Sequence, residues 1–383
     1  MMQKPQKILE KERKWDKQKC IGTSKKWWWM VFGILLLLAA GLQAAARYVD
    51  GFADWYGTWI YGPLVGMEGR FYGIFPVSVG EMLVYFIGIW LVMVTTWALA
   101  GLFRRDGNRG KRLLFFGKTW GMTAAVAFFL YTAQCGVNYF RTPFSTEAGY
   151  HLEKSTTEEL EALCLSLTEE INEAVAQLDL TEGDIYEKPA DLETQVQDAM
   201  KHLGTEYDCL DGFYPHPKPI FGSVFFSYQY ITGIYCPFTI EANYNKDMPD
   251  IEQAAVMCHE LSHLRGLMRE DEANFIAYLA CRESGNPELQ YSGAMFAYTY
   301  CMNALYSASG VERYREIYGQ LSPQAIQDRR YMSEWWTQYD TPVKEVSNQV
   351  NHTYLQANAQ SDGTKSYGRM VDLMLAEFKN RET

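Results

Sequence analysis

The sequence predicts a membrane-anchored α+β protein: three N-terminal transmembrane helices followed by a mainly helical extracytoplasmic domain with a small sheet. Three observations predict this. Long, nearly uncharged apolar runs are confined to the first 137 residues, lysine and arginine cluster at one end of those runs, and acidic residues gather in the remainder. The 383-residue chain is 48% hydrophobic and 15% aromatic, which excludes disorder for most of its length. Its mean hydropathy of -0.23 is too polar for a transporter threaded through the bilayer from end to end.

The first apolar run, within 27–47, reads WWWMVFGILLLLAAGLQAAA from Trp27 to Ala46, with no charge across 20 residues. At about 1.5 Å per residue this crosses a ~30 Å hydrocarbon core. The opening tryptophans suit a membrane–water interface. The run is too long for a secretory signal and lacks a small-x-small cleavage site. The second span, 77–103, carries only Glu81, and the third, 113–137, only Lys118.

Basic residues set the orientation. The tail 1–26 holds nine lysines and arginines, and the loop 104–112 holds Arg104, Arg105, Arg109, Lys111 and Arg112. The stretch between the first two spans has only Arg47 and Arg70, so the loop 48–76 is read as external. The N-terminus and the second loop are then cytoplasmic, and 138–383 lies outside a multi-pass cell membrane protein. That segment has 38 of the 46 acidic residues and 18 of the 35 basic ones. A net charge of -11 for the chain argues against nucleic acid as a partner. The eight cysteines form no CxxC pair, and no disulfide is assigned from their spacing.

Beyond the spans, Ser145 to Leu178 has helical periodicity, with Ser155 or Thr156 able to cap and Glu158 or Glu159 placed for a capping box. A further helix is expected over 187–203. Tyr214 to Asn245 is rich in proline, glycine, aromatic and β-branched residues, which predicts a short strand, a turn and a final strand over Phe238 to Tyr244. A helix then starts at Asp250, read as its N-cap, with breaks at Gly266 and at Gly285-Asn286-Pro287. Later breaks fall at Pro323, Pro342 and Asp362-Gly363.

The chemistry sits in the helix that begins at Asp250. It contains His259-Glu260-Leu261-Ser262-His263, an HExxH motif. Residues four apart on a helix share a face, so both imidazoles can reach one metal ion, with Glu260 beside them as general base. Zinc in a catalytic site takes three protein ligands. Gly266 follows in the place that HExxHxxGxxH requires, but the third-histidine position is Arg269, whose guanidinium cannot ligate. Next comes Arg269-Glu270-Asp271-Glu272-Ala273-Asn274. Glu272 shares a face with Ile276, Leu279 and Ala280, so its carboxylate points into the core and needs a partner; it is the expected third ligand of one zinc ion. Glu270 and Asp271, nearer the turn, suit an acidic helix N-terminus and stand as rivals. Asn274 is placed to orient a ligand imidazole.

The run HELSHLRGLMREDEANFIAYLAC resembles the zinc motif of an uncharacterised family of bacterial membrane proteins that is similar to zincin-type, gluzincin-like metallopeptidases. The resemblance extends to Val137-Asn138-Tyr139-Phe140-Arg141, to the stretch from Tyr214 to Asn245, and to the segment from Ser366 to Leu373. It implies three N-terminal spans, a zincin-like external domain, and a glutamate ligand within Glu272-Ala273-Asn274.

A peptidase also needs a donor for its oxyanion. Tyr367, Arg369 and His352 are the candidates, in a segment that returns to the core after an exposed turn. Trp335-Trp336 is read as core or membrane-surface contact. The expected function is a membrane-anchored zinc metallopeptidase with a peptide or protein substrate in the cell envelope and the lipid bilayer as its other partner. The alternatives are a non-catalytic zinc-binding envelope scaffold or sensor, and a metal-homeostasis protein. An intact Glu260 counts against both.

Overall fold

A computed structural model of the protein describes residues 6–104, 107–180, 183–358, 360 and 369–382, with side chains from Lys26 to Arg381. The chain opens with helix α1 (Gln6–Tyr48). A short α2 (Phe52–Tyr56), a π turn (Gly57–Tyr61) and α3 (Gly62–Tyr72) connect it to α4 (Val79–Leu102). Helix α5 (Arg109–Tyr131) runs on through a second π turn (Thr132–Gly136) and a 3-10 turn (Asn138–Phe140). Three segments are long and apolar enough to cross a membrane: Lys26–Tyr48, Val79–Leu102 and Arg109–Phe140. Few of their side chains are buried by the rest of the protein, which is the condition of helices that face lipid. α5 packs against both α1 and α4, and Trp120 Nε1 donates to Thr95 Oγ1 at 3.1 Å between α5 and α4.

The rest of the chain is mainly helical. α6 (Phe144–Glu147) precedes α7 (Thr157–Ala176), where Thr156 and Glu159 form the capping box reciprocally at 3.2 and 2.7 Å. α8 (Leu192–Leu203) follows Pro189. A three-stranded sheet is built from β1 (Lys218–Pro219), β2 (Gly233–Cys236) and β3 (Glu241–Tyr244), with α9 (Ser223–Tyr228) between the first two. β3 is central, parallel to β1 and antiparallel to β2, with Ile234 opposite Asn243. The final strand is thus shorter than Phe238 to Tyr244, because Ile240, at φ 48, turns the chain just before Glu241.

α10 (Asp250–Leu264), α11 (Glu270–Glu283) and α12 (Pro287–Tyr318) form the centre of the domain and pack on one another. Gly266, at φ 90, ends the turn after α10 as expected, and α12 bends at Gly310, at φ 79. Asp250 is the first helical residue rather than the N-cap; Pro249 holds that position, and the Asp250 carboxylate instead accepts from Lys188 N and Gln253 Nε2. α13 (Pro323–Thr337), α14 (Pro342–Ala357) and α15 (Met370–Glu382) complete the chain; the break expected at Asp362-Gly363 lies outside the described residues. All seven cysteines whose side chains are described are thiols, with Cys258 and Cys281 Sγ 3.9 Å apart between α10 and α11.

Two carboxylates tie the sheet region to the first turn of α4. Glu241, buried on β3, accepts from the backbone N–H groups of Val79 (3.1 Å) and Gly80 (2.6 Å), from Thr239 Oγ1 and from Lys218 Nζ (2.5 Å). Lys218 spends its other donors on the carbonyls of Tyr72 and Val77. Glu81 accepts from the N–H groups of Phe221 and Gly222, both at 2.8 Å.

Trp336 packs on Tyr230 and donates its indole N–H to Glu252 Oε2 at 2.8 Å, joining α13 to α10. Burial pushes the Glu252 carboxyl up to about 7, against the pull of Trp336 and Arg329. A carboxyl whose folded-state pKa lies above its unfolded value stabilises the fold at low pH and loses that contribution as pH rises through the folded value. Glu252→Gln keeps the indole acceptor without the charge. We therefore expect the thermal midpoint of the wild type, in detergent, to fall relative to Glu252→Gln between about pH 4.5 and 7, by about 1–2 kcal/mol in stability. Parallel pH profiles of the two proteins would refute the assignment.

Candidate metal centre

α10 is almost wholly interior; of its 15 residues only Asp250, Glu252 and His259 are not buried. His259 and His263, one turn apart, present their rings to one side, edge to face with centroids 4.5 Å apart. The five-residue turn after α10 brings the first residue of α11 opposite them. Glu270 Oε2 lies 3.4 Å from His259 Nε2 and 3.6 Å from His263 Nε2. Among the described residues these three form the group with ligand atoms close enough to hold one ion.

The donor set can be tested against a cation without any ion in view. His263 Nδ1 is 2.8 Å from the Leu267 carbonyl oxygen, which can only accept, so Nδ1 carries the proton. Nε2 of a neutral His263 then turns a lone pair toward a carboxylate, an arrangement that repels unless a cation stands between them. Without a metal a proton fills that role. Burial alone would lower the His263 pKa, but the Glu270 carboxylate overcomes it and raises it to about 9. Burial would raise Glu270, yet the two imidazoles hold it well below the usual carboxylate range. The separations also suit a metal. Two ligand atoms each about 2.0–2.1 Å from a tetrahedral zinc ion lie about 3.3 Å apart. The residues fit a zinc ion.

Glu260, next to His259, is buried and lies against β2. It accepts the Tyr235 N–H, while Oε2 has no protein partner. Burial pushes its carboxyl up to about 7, with the two imidazoles pulling it down. Gly233 makes the close approach feasible, since a Cβ there would sit 2.5 Å from Glu260 Oε1.

Three successive acids at the start of α11 go to three destinations. Glu270 faces the imidazoles. Asp271 Oδ2 pairs with Arg369 Nε at 3.1 Å. Glu272, the expected ligand, is buried as the helical face requires, but its Oε1 accepts the Phe144 N–H at 2.9 Å and burial raises its pKa to about 7. Rotation of about 100° per residue sends neighbours on a helix to different faces, and the residue facing His259 and His263 is the first. Asn274 lines the cleft beside Tyr300, but the group that orients an imidazole is the Leu267 carbonyl, on His263. Arg369 is engaged with Asp271, His352 is not among the cleft-lining residues of α14, and Tyr367 lies outside the described residues.

The cluster opens into a cleft of about 680 Å³. One wall is β2, the open edge of the sheet, and Thr232 O accepts from Asn245 N at 2.8 Å in register with the ladder. Alternation along an antiparallel pair therefore leaves the backbone groups of Gly233 and Tyr235 on the cleft side. Val343, Val346 and Val350 of α14 form a second wall. The third comes from the end of the third span, where the Tyr131 and Tyr139 hydroxyls hydrogen-bond with Tyr354 Oη, at 3.2 and 3.1 Å, and Tyr131 donates to Asn358 Oδ1 at 2.6 Å. These phenols escaped the sequence reading, although the aromatic residues at the end of the span were a signal.

The structure thus joins three helices long and apolar enough to cross a membrane to a mainly helical region with a His–His–Glu cluster, two of its three residues buried, at the floor of a cleft. The chain belongs to the family described as protein of unknown function (DUF3810), whose family model matches residues 56–375. No curated protein and no solved structure matches it.

Gly233→Ala adds one methyl against Glu260. We expect at least a tenfold loss of any activity that depends on Glu260, with any metal held by the His259–His263–Glu270 cluster retained, because the Glu260 carboxylate must shift while those three residues need not. Unchanged turnover in the folded variant would show that the contact does not position Glu260.

Proposed function

We propose that this protein is a membrane-anchored, zinc-dependent metallopeptidase whose catalytic domain lies on the outer side of the cytoplasmic membrane. The observation that carries the reading is the convergence of His259 Nε2, His263 Nε2 and Glu270 Oε2, with the unpartnered Glu260 Oε2 beside them. The basic N-terminus and the loop 104–112 support the orientation. In this reading the ligands are His259, His263 and Glu270, and Glu272 is a structural acid.

A bound zinc ion would supply Lewis-acid polarisation to the reacting groups. Glu260 removes the proton of the attacking water and passes it to the departing amine nitrogen. Its burial suits both halves of that task, because a carboxyl poised near neutrality can take and return a proton. β2 offers the Gly233 backbone groups to an extended substrate, which would add as a further strand.

Metal content and turnover of the full-length protein test this together. We expect about one zinc per chain in the wild type, lost in His263→Ala and Glu270→Ala and retained in Glu272→Ala. Glu260→Gln should retain zinc and lose hydrolysis by about 10²-fold or more. Zinc retained in Glu270→Ala but lost in folded Glu272→Ala would return the ligand to Glu272. A folded wild type without stoichiometric metal would sink the reading in favour of a scaffold.

A further inference from the structure

The cleft opens between two ends of the membrane helices, and this bears on what enters it. One wall is the membrane-proximal end of the third span, Tyr131, Cys135 and Tyr139. The opposite rim carries Phe225 and Ile234. That rim is held at the bilayer boundary, because Glu81, in the first turn of α4, accepts the N–H groups of Phe221 and Gly222 directly before α9. Gly222 is so close to the second turn of the span that a Cβ there would meet Tyr85 Oη at 2.7 Å. The Glu241 clamp on Val79 and Gly80 fixes the sheet at the same level.

The segment so anchored, Phe221 and the first turn of α9, is apolar and exposed. Phe221 is 77% exposed, Phe225 is 66% exposed, and Val224 between them is also exposed. Water disfavours a contiguous patch of this kind on a folded surface. At a bilayer interface, where the neighbouring α4 side chains already face lipid, the same residues are favourable. Phe225 belongs both to this patch and to the lining of the cleft, so the apolar surface is continuous from the lipid boundary to β2.

We infer that the substrate is a membrane-tethered polypeptide, which reaches the site along the Phe225–Ile234 rim and is cut in the extended segment next to its membrane anchor. This inference rests on the peptidase reading of the His259–His263–Glu270 site. An apolar anchor held in the bilayer delivers the adjoining chain to the β2 edge at high local concentration. The chemistry required is an unfolded peptide attached to an apolar anchor, and a transmembrane helix or an acyl chain would each provide it.

The test uses the full-length protein, zinc-loaded, in vesicles of phosphatidylethanolamine and phosphatidylglycerol. One fluorogenic peptide sequence is presented in three forms: free, N-palmitoylated, or joined to a leucine–alanine transmembrane helix. We expect either tethered form to be cleaved about tenfold or more faster than the free peptide at equal bulk concentration, with Glu260→Gln inactive on all. The arm that shows the gain identifies the anchor. Phe221→Asp and Val224→Asp, whose side chains are outside the cleft lining, should erode the tethered advantage and leave the rate on free peptide unchanged. Equal rates on free and tethered forms would overturn the inference and leave the peptidase reading standing. Cleavage of none of the three by a protein that binds zinc would sink both.

Discussion

Everything in the lower half of the cleft depends on one electrostatic constraint: a carboxylate oxygen lies 3.4 and 3.6 Å from two imidazole nitrogens, the three atoms within 4.8 Å of one another in a largely buried pocket. The His263 Nε2 lone pair and the Glu270 carboxylate cannot face one another in low dielectric without a proton or a metal cation between them, and removing a carboxylate from water is itself costly. The surroundings are arranged around that demand. The Leu267 carbonyl fixes which His263 nitrogen bears the proton. The short turn through Gly266 sets α11 where its first residue, rather than its third, meets α10. Gly233 lets a β-strand approach Glu260 more closely than any side chain would allow.

The membrane helices take part in holding this geometry. Tyr61, in the π turn after α2, donates to the Leu264 carbonyl at the end of α10 and shares a 2.8 Å hydrogen bond with the Tyr235 hydroxyl. The Tyr235 hydroxyl, which must supply the proton of that bond, also lies 3.2 Å from the Gln134 carbonyl oxygen in the π turn that follows α5. Arg141 donates to the Arg265 carbonyl, and the Phe144 N–H goes to Glu272. The α10 terminus and the β2 edge are therefore both tied to the end of the third apolar helix, through Arg141 and Gln134.

Much of this was legible in the chain, and the divisions are physical. The spans could be read because a bilayer imposes a length and a composition on single segments. HExxH could be read because its spacing is that of one helical turn. The burial of Glu272 followed correctly from its helical face with Ile276 and Leu279, but burial identifies a need for a partner, not the partner. That role fell to the Phe144 N–H, 128 residues earlier in the chain, and no local pattern encodes such a contact. Glu270 looked like an ordinary first-turn acid because its identity as a neighbour of His259 depends on the angle between α10 and α11. Tyr131, Tyr139 and Tyr354 were missed for the same reason, since they converge from the end of α5, the 3-10 turn beyond it and α14.

The contacts across the boundary at 138 also decide what counts as the working unit. A soluble fragment beginning there would lose Tyr61 from Leu264, Gln134 from Tyr235, and the α4 amides from Glu241. Glu241 would keep Lys218 and Thr239 but surrender two N–H donors to a buried carboxylate, and leaving a buried charge under-satisfied costs about 1–3 kcal/mol per lost bond. Each loss falls on an element that frames the His–His–Glu cluster. The family match covers the second and third apolar helices together with the cluster, and the packing joins them: the segments around these helices supply part of the framework that holds the His–His–Glu cluster.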